Sequence, residues 1–149
     1  MQTRRVSPVP EGHRSLAPYL YVCGASRAMD FYARAFGARE LFHLARGDRI
    51  AHAEMQIGHS VLMLAADGIA SPETYGGSPV SVFLYLPDVD AVFAKATAGA
   101  TVQMPPTDMF WGDRYGKLKD PFGHEWGIAT HIEDVSPEDT QKRIAAMAQ

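Results

Sequence analysis

The sequence contains very little cysteine and no long apolar run. Cys23 is the only cysteine among 149 residues, so no disulfide can form within the chain, and a reducing compartment fits best. No stretch approaches the roughly 18 consecutive apolar residues of a membrane-spanning helix. No apolar signal core follows Arg4 and Arg5. We therefore expect a cytoplasmic protein with no membrane partner.

An excess of basic residues is also missing. Lys and Arg number 14 against 17 Asp and Glu, the net charge is -3, and the two signs are interspersed. Because nucleic-acid binding requires basic side chains clustered on one face, we predict no nucleic-acid partner. The chain also lacks a glycine-rich phosphate loop, a zinc-binding cysteine pair and a GxSxG motif. We expect His13 and His43 to be solvated.

The chain does contain one structural pattern twice. In the first half, a strand, an amphipathic helix and three strands are predicted at Leu16–Val22, from Ser26 to Gly37, and at Arg39–Leu44, Ile50–Ile57 and Ser60–Ala66. In the second half, the same order is predicted at Val80–Leu86, from the cap Asp88 to Gly99, and at Thr101–Met104, Arg114–Leu118 and His124–Thr130. The sequence thus predicts an α+β protein built from two βαβββ modules.

The predicted modules set the domain organisation. Residues 1–15 form an N-terminal arm, residues 16–132 form a domain with modules at 16–66 and 80–132, and residues 133–149 form a tail with a C-terminal helix. The helix of each module covers one face of its sheet and leaves the other face bare. Two modules must therefore pair, within one chain or between chains, to form a usable cavity.

Three long motifs carry a family resemblance. They are HAEMQIGHSVLML at 52–64, FWGDRYGKLKDPFGHEW at 110–126 and ATHIEDVSPE at 129–138. Together with the paired modules, they resemble the vicinal oxygen chelate superfamily of glyoxalases, bleomycin-resistance proteins and extradiol dioxygenases, and within it the PhnB-like, glyoxalase-like branch. The resemblance implies a cup-shaped mixed sheet with helices outside, and a homodimer.

The resemblance also locates the positions that hold a divalent metal ion in metal-dependent members. In this sequence those four positions are occupied by Gly127, Leu62, Ser81 and either Ala17 or Tyr19. None of these is a usual ligand for Zn²⁺, Ni²⁺ or Fe²⁺, which are held by histidine and carboxylate side chains. We therefore expect no metal cofactor at the usual site.

A displaced site remains open. Because side chains alternate along a strand, an apolar face through Ala53 and Met55 leaves His52 and Glu54 on the opposite face, and Glu125 takes a similar place on the last strand. These three residues could bind a divalent ion or act as a catalytic acid/base set. Alternatively, His52 and Glu54 form a structural network with a neighbouring arginine or tyrosine, such as Arg114.

Alternation also predicts an aromatic lining for the cup. The residues expected to contact a ligand are Tyr19, Tyr21, Phe83, Tyr85, Trp111 and Arg114. The loop from Asp67 to Pro79 and the segment from Met109 to Trp111 are expected to close over the mouth. The lead hypothesis is a protein that binds a small apolar or aromatic organic molecule without the usual metal. The alternative is a metal-dependent lyase, isomerase or dioxygenase with the displaced site.

Overall fold

The structure, a computed structural model, describes residues 6–66 and 71–147. The first module comprises β1 (Tyr19–Tyr21), α1 (Ala25–Phe36), β2 (Arg39–Arg46), β3 (Arg49–Ile57) and β4 (Ser60–Ala65). The second comprises β5 (Ser81–Tyr85), α2 (Val89–Ala96), β6 (Thr101–Asp108), β7 (Asp113–Lys119) and β8 (Glu125–His131). A short 3₁₀ helix, Pro72–Tyr75, lies between the modules, and α3 (Pro137–Met147) follows the second.

Each module forms its own four-stranded mixed sheet. The strand orders are β1-β4-β3-β2 and β5-β8-β7-β6. In each sheet the first and last strands of the module pair in parallel, and the other neighbours pair antiparallel. The predicted α+β fold of two βαβββ modules is confirmed. In the described part of the chain, every helix is too short or too polar to cross a lipid bilayer.

The first residues of α1 and α2 show how well local sequence signals predict helix caps. Asp88 caps α2 as predicted, because its Oδ1 accepts a hydrogen bond from the backbone N–H of Ala91 at 3.1 Å. The predicted cap of α1 at Ser26 is wrong. That helix begins at Ala25 after Gly24, which has a φ of 112° and provides no side-chain cap.

Strand β6 extends to Asp108, past the predicted end at Met104. The sequence Pro105-Pro106 favours an earlier end, because proline cannot donate a ladder hydrogen bond. Here β6 is an edge strand that pairs only with β7, and the pairing shifts register between Met104 and Thr107. An edge position tolerates prolines that a central strand would not.

The helix-covered faces of the two sheets share one hydrophobic core. Helix α1 contacts α2 as well as its own sheet. The ring of Phe36 lies 4.7 Å from that of Trp126 in β8, and the ring of Tyr32 lies 5.5 Å from it, measured between centroids. The modules are therefore held together through their helix sides, and the opposite faces of both sheets remain outside this core.

The turn between β7 and β8 is fastened to the first module by Asp120, which is 4% exposed. Its carboxylate accepts hydrogen bonds from the backbone N–H groups of Phe122 and His124 within the turn. It also accepts from the hydroxyl of Tyr32 at 2.5 Å and the indole N–H of Trp126 at 2.9 Å. Because Tyr32 belongs to α1, the turn and the first helix are coupled directly.

Candidate functional site: two aromatic sheet faces

The rings predicted to line a cup lie on the sheet faces that the helices do not cover. Tyr19 and Tyr21 are each 42% exposed, Phe83 is 47% exposed and Tyr85 is 58% exposed. The intervening side chains point the other way, as Leu20 does in β1, where it is buried in the core. The predicted alternation is therefore confirmed for β1 and β5.

On the second module, four rings make a continuous surface, which we call the second aromatic face: Phe83, Tyr85, Trp111 and Tyr115. Phe83 stacks on Tyr115 with a centroid distance of 5.3 Å and an interplanar angle of 7°. Tyr85 lies 5.0 Å from Phe83, and Trp111 meets Tyr115 edge-on at 5.4 Å. Contacts at these distances and angles fix the rings relative to one another.

Gly127 lies directly beneath this stack. A Cβ atom at position 127 would lie 2.8 Å from Cε2 and 3.0 Å from the hydroxyl oxygen of Tyr115, and 3.3 Å from Cδ2 of Phe83. The space that a side chain would need is therefore filled by the ring and hydroxyl of Tyr115 and by the ring of Phe83. This is the position at which the resemblance places a metal-binding glutamate, and a glutamate would displace the ring of Tyr115.

Asp113 orients two rings of the second aromatic face, although it is itself only 1% exposed. It accepts hydrogen bonds from the Tyr85 hydroxyl, the Trp111 indole N–H and Nδ1 of His131, all at 2.8 Å. Burial opposes ionisation of Asp113, but these three hydrogen bonds outweigh it and lower its pKa. His131 also contacts Asp134 at 2.8 Å, and both carboxylates raise the pKa of the imidazole, Asp134 more strongly.

Asp113 was not among the site residues predicted from the sequence. One feature of the sequence could have indicated it. Asp113 begins β7, two residues after Trp111 and two residues before Tyr115, with which it shares a face of the strand. That spacing places a donor and an acceptor within reach of one another, but it does not indicate the contacts with Tyr85 and His131, which come from other strands.

On the first module, the exposed face carries a second hydrogen-bonded network. The hydroxyl of Tyr19 contacts Nδ1 of His52 at 2.9 Å, and Nε2 of His52 contacts Glu54 at 2.8 Å. His13 from the N-terminal arm contacts the other oxygen of Glu54 at 2.7 Å. The expectation of a solvated His13 is therefore wrong, because its imidazole anchors the arm to β3.

Glu54 is 6% exposed and lies at the centre of this network. Burial alone would raise its pKa, but the hydrogen bonds from His52 and His13 lower it below the ordinary value. The pKa of His13 is raised, chiefly by its hydrogen bond to Glu54 and then by its contact with the backbone carbonyl of Glu11. His52 and Glu54 are thus partners in a structural network. Their further partners are His13 and Tyr19, whereas the sequence suggested Arg114.

Glu125 does not join His52 and Glu54. It lies on β8 in the other sheet, where its carboxylate accepts a hydrogen bond from the amide of Gln103 at 3.1 Å. Within residues 6–66 and 71–147, no three side chains of the types His, Cys, Asp and Glu are arranged to hold a metal ion. The convergence that the displaced site would require is therefore not found within one chain for His52, Glu54 and Glu125.

Arg114 lies on the opposite side of its sheet from the aromatic face. Its guanidinium binds both carboxylate oxygens of Asp90 on α2, at 2.8 and 3.0 Å, and contacts Asp108 at 3.0 Å. Because α2 covers the core side of the sheet, Arg114 faces that side. Its predicted place in the pocket lining is wrong, whereas Trp111 belongs to the second aromatic face.

The loop predicted to close over the mouth is described only in part, since residues 67–70 lie outside the described residues. In the described part, the backbone and side chain of Glu73 lie against Gly123, where an added Cβ would be 3.0 Å from Cγ of Glu73. This part of the loop thus rests on the turn between β7 and β8.

The family follows from comparison with known proteins. The sequence model of the Glyoxalase/Bleomycin resistance protein/Dioxygenase superfamily matches residues 14–128. The chain belongs to this superfamily. An uncharacterized protein of Mycobacterium tuberculosis is 38% identical over 141 residues, which cover 89% of this chain and 83% of that protein. Protein YjdN of Escherichia coli is 26% identical, over 76% of this chain and 92% of its own length.

Three solved structures have a similar fold. TioX from Micromonospora sp. ML1 is 29% identical with a TM-score of 0.65, over 80% of this chain and 99% of TioX. Protein PA1353 from Pseudomonas aeruginosa is 26% identical with a TM-score of 0.67, over the same shares. A PhnB protein from Bacillus cereus, 17% identical over 78% of this chain and 99% of its own, has a TM-score of 0.60. The chain thus shares its fold with a PhnB protein, in agreement with the PhnB-like resemblance of its sequence.

Proposed function

We propose that this superfamily member binds a small apolar or aromatic organic molecule on its aromatic faces, without the usual metal ion. The observation that carries the proposal is the stack of Phe83 on Tyr115 above Gly127. Where a metal-dependent relative needs a carboxylate, this chain presents the aromatic rings of Phe83 and Tyr115, with the Tyr115 hydroxyl at their edge. Such a surface favours stacking and burial of an organic ligand over coordination of a cation.

The second aromatic face is also prepared for binding. Tyr85 and Trp111 each donate a hydrogen bond to the buried Asp113, so their rings are held in place before a ligand arrives. The backbone beside Trp111 is fixed as well, since the carbonyl of Gly112 accepts hydrogen bonds from the N–H groups of Ile132 and Glu133. Rings fixed in this way lose little conformational entropy when a ligand binds.

We further propose that two copies of the chain pair to enclose the ligand. The two aromatic faces belong to separate sheets, and the modules contact each other through the opposite, helix-covered sides. The first face also exposes apolar side chains of β2, with Phe42 at 44% and Leu44 at 56%. Pairing with a second copy would remove this surface from water. Light scattering should give about twice the chain mass of 16.3 kDa, and a monomer at micromolar concentration would contradict the pairing.

A thermal-shift screen with aromatic and aliphatic compounds tests ligand binding. A compound present at 100 times its Kd adds about 2.7 kcal/mol to the free energy of unfolding, or roughly 5–10 °C in Tm for a chain of this size. The variant Phe83→Ala should lose most of that shift. The matched control Val102→Ala, which shortens an exposed side chain outside the aromatic face, should keep it. If aromatic compounds give no shift and added metal produces turnover, the proposal fails.

The alternative is a metal-dependent lyase, isomerase or dioxygenase. One observation favours it, namely that His13 brings a second imidazole to Glu54 beside His52. Two imidazoles and a carboxylate are the side-chain types that hold Fe²⁺ and related ions, although in the described residues both imidazoles bind Glu54 and the three side chains are not arranged around an ion. Metal analysis of the purified protein separates the two functions. Near-stoichiometric metal that is lost in the His52→Ala, Glu54→Ala double variant would establish the alternative and overturn our proposal.

We also propose that the protein is located in the cytoplasm. The single cysteine fits a reducing compartment such as the cytoplasm. Cell fractionation with an antibody against the chain would test this location, and recovery of the protein outside the cytoplasmic fraction would contradict it.

A further inference from the structure

A small polar cavity adjoins the second aromatic face at the end away from Asp113. Its volume is about 60 Å³, and its polar lining consists of Ser81, Gln103, Tyr115, Lys117 and Glu125. Because one water needs roughly 10–15 Å³ of this kind of space, the cavity admits a group of a few heavy atoms, such as a carboxylate. The cavity therefore has room for the polar head of a ligand whose body lies on the rings.

Lys117 brings a positive charge to this corner. It pairs with Gly127 across β7 and β8, so it lies beside the position at which the resemblance places a metal ligand. Lys117 and Tyr115 are two residues apart on β7 and share one face, which separates them by about 7 Å. The ammonium group is exposed, and in residues 6–66 and 71–147 it makes no ion pair.

Several hydrogen-bond donors of this lining have no partner in the described residues, among them the ammonium of Lys117 and the hydroxyl of Tyr115. Glu125 is engaged with Gln103 at 3.1 Å, and no ion pair joins it to Lys117 in the described residues. The Tyr115 hydroxyl points to the space above Gly127 and has no hydrogen-bond partner in the described part of the chain. A ligand oxygen that entered the cavity would meet the ammonium of Lys117 and the hydroxyl of Tyr115, and the positive charge of Lys117 would offset the carboxylate charge of Glu125 in the same lining.

We infer that Lys117 and the Tyr115 hydroxyl bind an anionic oxygen of the ligand, and that the ligand is an aromatic or apolar molecule that carries a carboxylate. The ring system lies on Phe83 and Trp111, and the carboxylate occupies the polar cavity. A lysine thus supplies the positive charge where metal-dependent relatives hold an ion. This inference rests on the proposed function, because it specifies the chemical class of the molecule bound at the same face.

Two matched compounds test the inference with the full chain: 2-naphthoate and its neutral analogue 2-naphthamide. Calorimetric titration should show that 2-naphthoate binds about ten times more tightly, because it gains a charge-assisted hydrogen bond. The Lys117→Gln variant should reduce the affinity for 2-naphthoate about tenfold and leave that for 2-naphthamide unchanged. Tyr115→Phe, which keeps the ring, should weaken 2-naphthoate by about threefold.

The matched control is Lys95→Gln, which removes the same charge from the exposed side of α2. It should bind both compounds as the wild type does, and equal Tm values would show that neither lysine variant is misfolded. Equal affinity of the wild type for both compounds would overturn the inference and leave the proposed function standing. A preference for 2-naphthoate that persists in Lys117→Gln would also overturn it. Failure of both compounds to bind the wild type would overturn the inference, whereas the proposed function is decided by the thermal-shift screen.

Discussion

Replacing Gly127 with alanine tests the packing beneath the second aromatic face. The backbone of Gly127 is in an ordinary strand conformation, so an alanine would cause no strain through φ. The difficulty is space, because the new methyl group would lie 2.8 Å from Cε2 of Tyr115. The ring of Tyr115 cannot simply swing away, since it is stacked on Phe83 and meets Trp111 edge-on.

The expected loss of stability follows from two opposing effects. An extra methyl group in a well-packed site costs roughly 1–3 kcal/mol. A glycine-to-alanine change at a compatible backbone position restores about 0.4–1 kcal/mol by restricting the unfolded chain. The net loss in the free energy of unfolding should therefore be about 1–2 kcal/mol, which lowers Tm by roughly 2–8 °C for a chain of this size.

Urea unfolding of four proteins provides the assay: wild type, Gly127→Ala, Tyr115→Leu and the double variant. Leucine removes the atoms of Tyr115 that the methyl group would meet, so Gly127→Ala should cost nothing in that background, or should stabilise it. An undiminished loss in the Tyr115→Leu background would refute the reasoning, because the clash would then lie elsewhere. A wild-type stability for Gly127→Ala itself would refute it equally.

Three further variants probe contacts described above. Tyr32→Phe removes one buried donor to Asp120, which should cost about 1–3 kcal/mol in urea unfolding, and a loss below 0.5 kcal/mol would contradict a buried bond. The raised pKa of His131 stabilises the fold fully below about pH 6.5 and loses this effect as pH rises through the folded-state pKa. The stability difference between wild type and His131→Asn should therefore shrink from pH 6 to pH 9, and a constant difference would count against the contact. His13→Ala should free the arm and speed tryptic cleavage after Arg14, whereas an unchanged cleavage rate would mean that His13 does not hold it.

The parts of the fold that the sequence predicted correctly are those set by local periodicity. Tyr19 and Tyr85 could be assigned to exposed faces because neighbouring side chains along a strand point in opposite directions. Asp88 could be assigned as a cap because its carboxylate bonds within three residues of chain. The same rule assigns Arg114 to the face of the buried Leu118, so alternation, if applied to β7, predicts that it points away from the cup.

The contacts that could not be predicted join residues far apart in the chain. His13 reaches Glu54 across 41 positions, and no pattern near either residue indicates the other. The separation of Glu125 from Glu54 depends on how the modules pack, and a pattern within one strand carries no information about that. The full length of β6 depends on its edge position, which outweighs the local effect of Pro105 and Pro106.

The coupling of Asp120 to Tyr32 and Trp126 bears on how relatives of this chain should be interpreted. The sequence around Asp120 is among the motifs that carry the resemblance. The carboxylate of Asp120, however, links the turn to Trp126 and to Tyr32 in α1, which lies 88 positions away in the sequence. A substitution of Asp120 would therefore reduce the stability of the fold, and any effect on ligand binding would be secondary. Identical residues in this stretch therefore indicate common ancestry. Two proteins can both have them and still differ in the reaction or ligand that they support. Evidence for shared activity has to come from the residues of the exposed face, such as Lys117 and Tyr115.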